Sequence, residues 1–211
     1  LILDNSLCKT AFIKECETAV KYSFKSITVL PNLVSQAKLV VGNAVKVNAL
    51  ISYPFGEDDF IVKLKSASKA FKNGASGVSV AISVTKIKNA QFKTISNNFK
   101  KLVKLARKKD VNALIEVSKL SPTELKTTIS TLSEIKGITN IIPYETEREK
   151  TLDVMAIKEI IKTVDGKVNV EVLSKISTAE ETVSVLSLGA NGVASEKCVS
   201  IVIDAIKKLN F

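Results

Sequence analysis

The chain has 211 residues, 45% of them apolar and 25% charged, with a formal net charge of +10 and no histidine. That size and balance build one globular domain over residues 1–211, and no apolar run approaches the roughly 18–20 residues that a membrane-spanning helix needs. The missing histidine excludes Ser-His-Asp and Cys-His catalysis, and three cysteines without CxxC spacing offer neither a zinc site nor a disulfide framework.

In chain order, short β-branched runs alternate with longer amphipathic stretches. Strands are expected at 1–4, 26–30, 46–52, 77–82, 111–116, 138–142, 168–172 and 192–194. Helices are expected between and after them, at 10–22, 32–41, 58–72, 89–109, 122–135, 151–163, 178–188 and 197–209. Ser121-Pro122-Thr123-Glu124 and Ser177-Thr178-Ala179-Glu180 read as capped helix starts. Gly74, Gly137 and Gly189 each stand where a helix ends before a strand. Eight βα units point to a (β/α)₈ TIM barrel, with an open doubly wound sheet as the competing arrangement. Neither GxGxxG nor GxxxxGK[ST] occurs, so those two nucleotide-binding loops have no support.

The positive charge is almost entirely lysine, with Arg107 and Arg148 as the two arginines, which weakens a nucleic-acid reading. The densest cluster, Lys100, Lys101, Lys104, Arg107, Lys108 and Lys109, reads as a solvated helix face. At most one of Cys8 and Cys16 is expected to face the core, and Cys198 to open the last helix, where burial or a helix N-terminus would set its thiol.

Several segments, in order and over nearly the entire chain, resemble the deoxyribose-phosphate aldolase family. Leu3-Asp4-Asn5-Ser6 is similar to the family's Ile-Asp-His-Thr, Ser26-Ile27-Thr28-Val29-Leu30-Pro31 to its Ser-Val-Cys-Val-Asn-Pro, and Ile51-Ser52-Tyr53-Pro54-Phe55-Gly56 to its Ile-Gly-Phe-Pro-Leu-Gly. Gly74-Ala75, Leu114-Ile115-Glu116, Gly189-Ala190 and Ala194-Ser195 continue the match.

The resemblance implies an aldolase-like barrel of the lyase kind. Family members use a Schiff-base lysine on the sixth strand, a second lysine on the seventh and an aspartate on the fourth. Here those positions fall on Ile142, Glu171 and Ser79, and no lysine lies between Gly137 and Arg148. The family's asparagine after that aspartate falls on Ser83, its phosphate-binding glycines on Ser174 and Lys175, and its second terminal serine on Glu196. Isoleucine cannot form an imine, so the resemblance implies a cytoplasmic pseudoenzyme retained for binding or as a scaffold. The alternative is an active class I aldolase, cleaving 2-deoxyribose 5-phosphate to acetaldehyde and glyceraldehyde 3-phosphate through the relocated Lys175.

Asp4, Glu116, Ser174, Lys175 and Ser195 are the ligand-binding candidates. Glu171 is expected to point into the barrel, and Tyr144 to follow the sixth strand on the ligand-binding face. The expected partners are a small phosphorylated or anionic ligand and, in a homodimer, a second copy. No cofactor, metal, membrane or nucleic acid is expected.

Overall fold

Alternate strand residues point to opposite faces of the sheet, and the buried residues form two clusters, a large one against the helices and a small one inside. The computed structural model describes residue 2, residues 8–146 and residues 153–209. The elements are α1 (Lys9–Lys21), β1 (Ser26–Val29), a 3₁₀ turn (Pro31–Leu33), α2 (Val34–Val41), β2 (Lys46–Ile51), α3 (Phe60–Lys72), β3 (Gly77–Ala81), α4 (Val84–Lys88) and α5 (Phe92–Ala106). They continue as β4 (Asp110–Glu116), α6 (Pro122–Ser133), β5 (Asn140–Tyr144), α7 (Val154–Val164), β6 (Asn169–Leu173), α8 (Ala179–Ser187), β7 (Gly192–Ala194) and α9 (Cys198–Leu209).

The seven strands lie side by side in sequence order, all parallel. A doubly wound sheet reverses its strand order at a switch point, and this sheet does not; the fold is the (β/α)₈ barrel. Of the first expected strand, Ile2 is described: it bridges Val29 in parallel, its amide donating to the Thr28 carbonyl at 3.0 Å. Asp4 lies outside the described residues. The second to eighth expected strands are therefore β1 to β7.

One set of strand residues, including Val29, Val47, Val80, Val111, Ile115, Ile141, Val170 and Val172, packs outward against helical Cys16, Ala37, Ala67, Leu102, Ile129, Leu132 and Ile160. The alternate set turns inward, where Leu50, Ala81, Leu114, Ile142 and Tyr144 form a separate cluster with Tyr53 and Leu173 against it. Below them runs a polar layer: Asn140 Nδ2 donates to Asn112 Oδ1 at 2.7 Å, and Asn112 Nδ2 donates to Ser79 Oγ at 3.1 Å. Gly77 borders this layer, where a Cβ would come within 2.6 Å of Asn48 Oδ1 and 2.9 Å of the Asp110 carbonyl.

Several boundaries differ from expectation. The helix expected at 89–109 is the shorter α5, and a helix that was not expected, α4, precedes it: Ser83 caps α4 by accepting from the Lys86 amide at 3.0 Å, and Ala90, at φ 52°, breaks the chain between the two. β5 runs to Tyr144 rather than ending at Ile142, despite Pro143. The β5–β6 pairing stops at Ile141 and Val170, so the proline's missing N–H falls beyond that ladder. The helix expected at 151–163 begins at Val154, capped by Asp153, whose Oδ1 accepts from the Met155 amide at 3.0 Å. The capping box anticipated at Ser177 and Glu180 is formed one residue later, by Thr178 and Glu181, whereas that of Ser121 and Glu124 stands as expected.

Gly74, Gly137 and Gly189 all take positive φ at the helix-to-strand joints. The lysine-rich cluster on and after α5 is exposed, with Lys101 over the Phe60 ring and Lys109 over that of Phe71. No helix among the described residues is long and apolar enough to cross a membrane.

Candidate functional site

Inside the barrel, the alternation that sends valines outward leaves Ser26 and Thr28 of β1, Leu50 of β2, Ser79 of β3, Leu114 of β4, Ile142 of β5, and Glu171 and Leu173 of β6 facing one cavity. Val193 and Ala194 of β7 and Cys198 of α9 complete its described lining, and the cavity holds about 50 Å³. Ser79, Ile142 and Glu171, anticipated as site positions, are thus brought together on one wall system. No lysine is among the described lining residues.

Glu171 points inward as expected and is half-buried. It makes no hydrogen bond or ion pair among the described residues. Burial pushes its carboxyl above the usual carboxylate range; Lys25 acts the other way, and Asp110 adds to the rise.

The remaining candidates sit elsewhere. Lys175 follows the end of β6, is exposed and is not among the described cavity residues, so the structure does not bring it to Ser79, Ile142 and Glu171. Ser174 extends the β6–β7 ladder, its amide donating to the Ala194 carbonyl at 3.3 Å. The Ser195 hydroxyl is buried, donating to the Ile176 carbonyl at 2.7 Å and accepting from the Lys197 amide at 3.0 Å. Glu116 is buried at the top of β4; its Oε1 accepts from the amide and hydroxyl of Ser118 at 3.2 and 2.6 Å, while its Oε2 has no hydrogen-bond partner among the described residues.

Tyr144 is not in a loop after the strand: it is the last residue of β5, 1% exposed, with its hydroxyl donating to the Pro54 carbonyl. Its ring lies 5.3 Å from that of Tyr53, so two aromatics fill the β2–β5 side of the barrel mouth. Burial, reinforced by Glu116, Tyr53 and Glu57, pushes its phenol far above the usual range.

A lysine the sequence reading passed over is chemically distinctive. Lys63 on α3 is 7% exposed, and its ammonium donates to the carbonyls of Gly56 and, at 2.9 Å, Ala81. Burial first, then Lys86, lowers its pKa to about 8, against the opposing pull of Asp58 and Glu57. Beside it, burial alone would raise Glu57, but hydrogen bonds from the Ser83 hydroxyl at 2.6 Å and the Thr85 amide at 3.0 Å, with Lys86 nearby, hold it below the usual range. Lys63 lies on the helix side of β3 rather than in the barrel. A lysine on the apolar stripe of a helix that otherwise buries Ala67 and Ala70 is the signal that could have identified it.

Among the cysteines, Cys16 is buried and held up to about 11 by burial first and then by Glu15 and Glu17, whereas Cys8 is exposed. Cys198 begins α9, with its thiol 3.1 Å from the Ser195 carbonyl. The described residues contain no group of three or more His, Cys, Asp or Glu side chains able to hold a metal ion.

Seven parallel strands in sequence order, curled with polar groups on the inner face and helices outside, have the aldolase-like (β/α)₈ fold. Within that fold class the chain is a divergent relative of proteins named deoxyribose-phosphate aldolase. It is 24% identical to that of Mycoplasmoides pirum over 198 residues, covering 92% of this chain and 89% of the relative. It is 27% identical to that of Mesomycoplasma hyopneumoniae strain J over 220 residues, covering 100% and 97%. No family model matches. Among solved structures, an aldolase designated QR15 superposes with a TM-score of 0.92 at 19% identity, over 99% of this chain and 93% of that one. The tetrameric deoxyribose phosphate aldolase of Aeropyrum pernix superposes with a TM-score of 0.84 at 17% identity, over 99% and 88%.

Proposed function

We propose that this chain is an aldolase-like barrel without Schiff-base chemistry, retained for binding a small molecule or as a scaffold. The observation that carries this reading is the absence of an amine from the described lining of the barrel cavity, where Ser79, Ile142 and Glu171 meet. An imine enzyme needs an unprotonated lysine amine within reach of the substrate carbonyl. Lys175 is exposed and lies outside the described lining of the cavity. Lys63 has a lowered pKa, but its nitrogen is held by two backbone carbonyls on the helix side of the sheet. Tyr53 and Tyr144 further narrow the mouth through which a sugar phosphate would enter.

The test is incubation of the purified chain with deoxyribose 5-phosphate and borohydride, followed by intact mass and an aldehyde-release assay. The expected result is an unmodified mass and no acetaldehyde. An adduct mapped to Lys175 or Lys63, with turnover that is lost when that lysine becomes Met, would establish the class I aldolase alternative.

A further inference from the structure

The barrel cavity carries polar groups of one kind on its described walls. Glu171 supplies a carboxylate with no hydrogen bond or ion pair among the described residues, Lys25 acting on it only at longer range, and Ser26 and Thr28 supply hydroxyls that make no hydrogen bond there. Ser79 Oγ already accepts from Asn112 Nδ2 at 3.1 Å, so its own proton is available to donate. Between these groups stand Leu50, Leu114, Ile142, Leu173 and Val193, a mostly apolar enclosure with a few convergent polar atoms. No lysine or arginine is among the described lining residues, and Lys25 acts on Glu171 from outside that lining, so a phosphate here would meet a carboxylate with no cation on the described walls beside it.

We propose that this cavity binds a small hydroxylated amine, with its ammonium against Glu171 and its hydroxyls on Ser79, Thr28 and Ser26. The proposal rests on the noncatalytic reading above and reverses the charge of ligand that the resemblance implies. An ammonium supplies the donors and the positive charge that a desolvated carboxylate lacks. Hydroxyls can both donate to and accept from the serine and threonine side chains, and the ligand's carbons can lie against the leucines. Burial raises the Glu171 pKa, and a cation beside it would favour the ionised form that burial disfavours.

The experiment is calorimetric titration of the full chain with ethanolamine, glycerol and inorganic phosphate, each repeated on Glu171→Gln and Thr28→Val, with circular dichroism to verify folding. Ethanolamine is expected to bind, at least about tenfold more tightly than glycerol, with phosphate neither binding nor competing. Glu171→Gln should weaken ethanolamine at least about tenfold, and Thr28→Val, which conserves volume, should weaken it less. Absence of ethanolamine binding, unchanged affinity in folded Glu171→Gln, or displacement by phosphate would each overturn the proposal. These outcomes are separable from borohydride trapping: a trapped imine defeats the noncatalytic reading, whereas absent amine binding with no imine defeats the ligand assignment alone.

Discussion

At Glu171 the balance between burial and hydration sets both stability and chemistry. Its carboxyl titrates above the ordinary value of 4.5 in the folded chain, so through the window opening at that value the folded state holds a proton that the unfolded state has released. Stability from this group is lost as pH rises through the window. Glu171→Gln is expected to melt higher than the parent at about pH 8 and at the same temperature at about pH 4, as followed by circular dichroism.

Lys63 has the opposite sign. Its pKa falls from 10.5 to about 8, so between these values the folded state has lost a proton that the unfolded state retains, and stability from this group rises with pH. Lys63→Met removes that rise. It also leaves the carbonyls of Gly56 and Ala81 without their ammonium donor, a loss expected to cost about 2 kcal/mol. For a chain of this length that is a fall of roughly 4–8 °C in Tm. Comparing the slopes of Tm against pH from about 8 to 10 in parent and variant separates the charge effect from the lost hydrogen bonds.

At the scale of elements, caps and prolines explain where helices and strands begin and stop. The capping box at Ser121 and Glu124 satisfies two backbone donors at the start of α6, and Glu124 also pairs with Lys88 of α4 at 2.7 Å. Ser121→Ala should cost about 1 kcal/mol, a fall of roughly 2–4 °C in thermal unfolding. The α6 start and the glycines before β3, β5 and β7 are legible in the sequence because their chemistry is local. The extension of β5 through Pro143 to Tyr144 is not, since proline argues against a strand unless one knows where the neighbouring ladder has stopped. The short α4, ahead of the helix expected at 89–109, was hidden for a related reason: Ser83 is a cap only once β3 has ended before it.

At the scale of the molecule, the outer core is continuous from α1 to α7 around the sheet, which ties the barrel into one cooperative body. Chemical denaturation is expected to give a single transition, with far-ultraviolet circular dichroism and tyrosine fluorescence coinciding; separated midpoints would show that the chain unfolds as more than one unit.

The sequence by itself determined the repeating βα architecture and the inward direction of Glu171, because period-two and 3.6-residue patterns are properties of neighbouring residues. It also put Ile142 and Glu171 where the resemblance implies lysines, an expectation that required only residue identity and order. Tertiary structure decided what those positions face: Ser79, Ile142 and Glu171 come from strands far apart in the chain and meet because the sheet curls. It likewise decided that Tyr144 fills the mouth, that Lys175 stays in solvent and that Lys63 is desolvated. Burial and partnership depend on which surfaces fold against one another, and spacing along a chain does not contain that information.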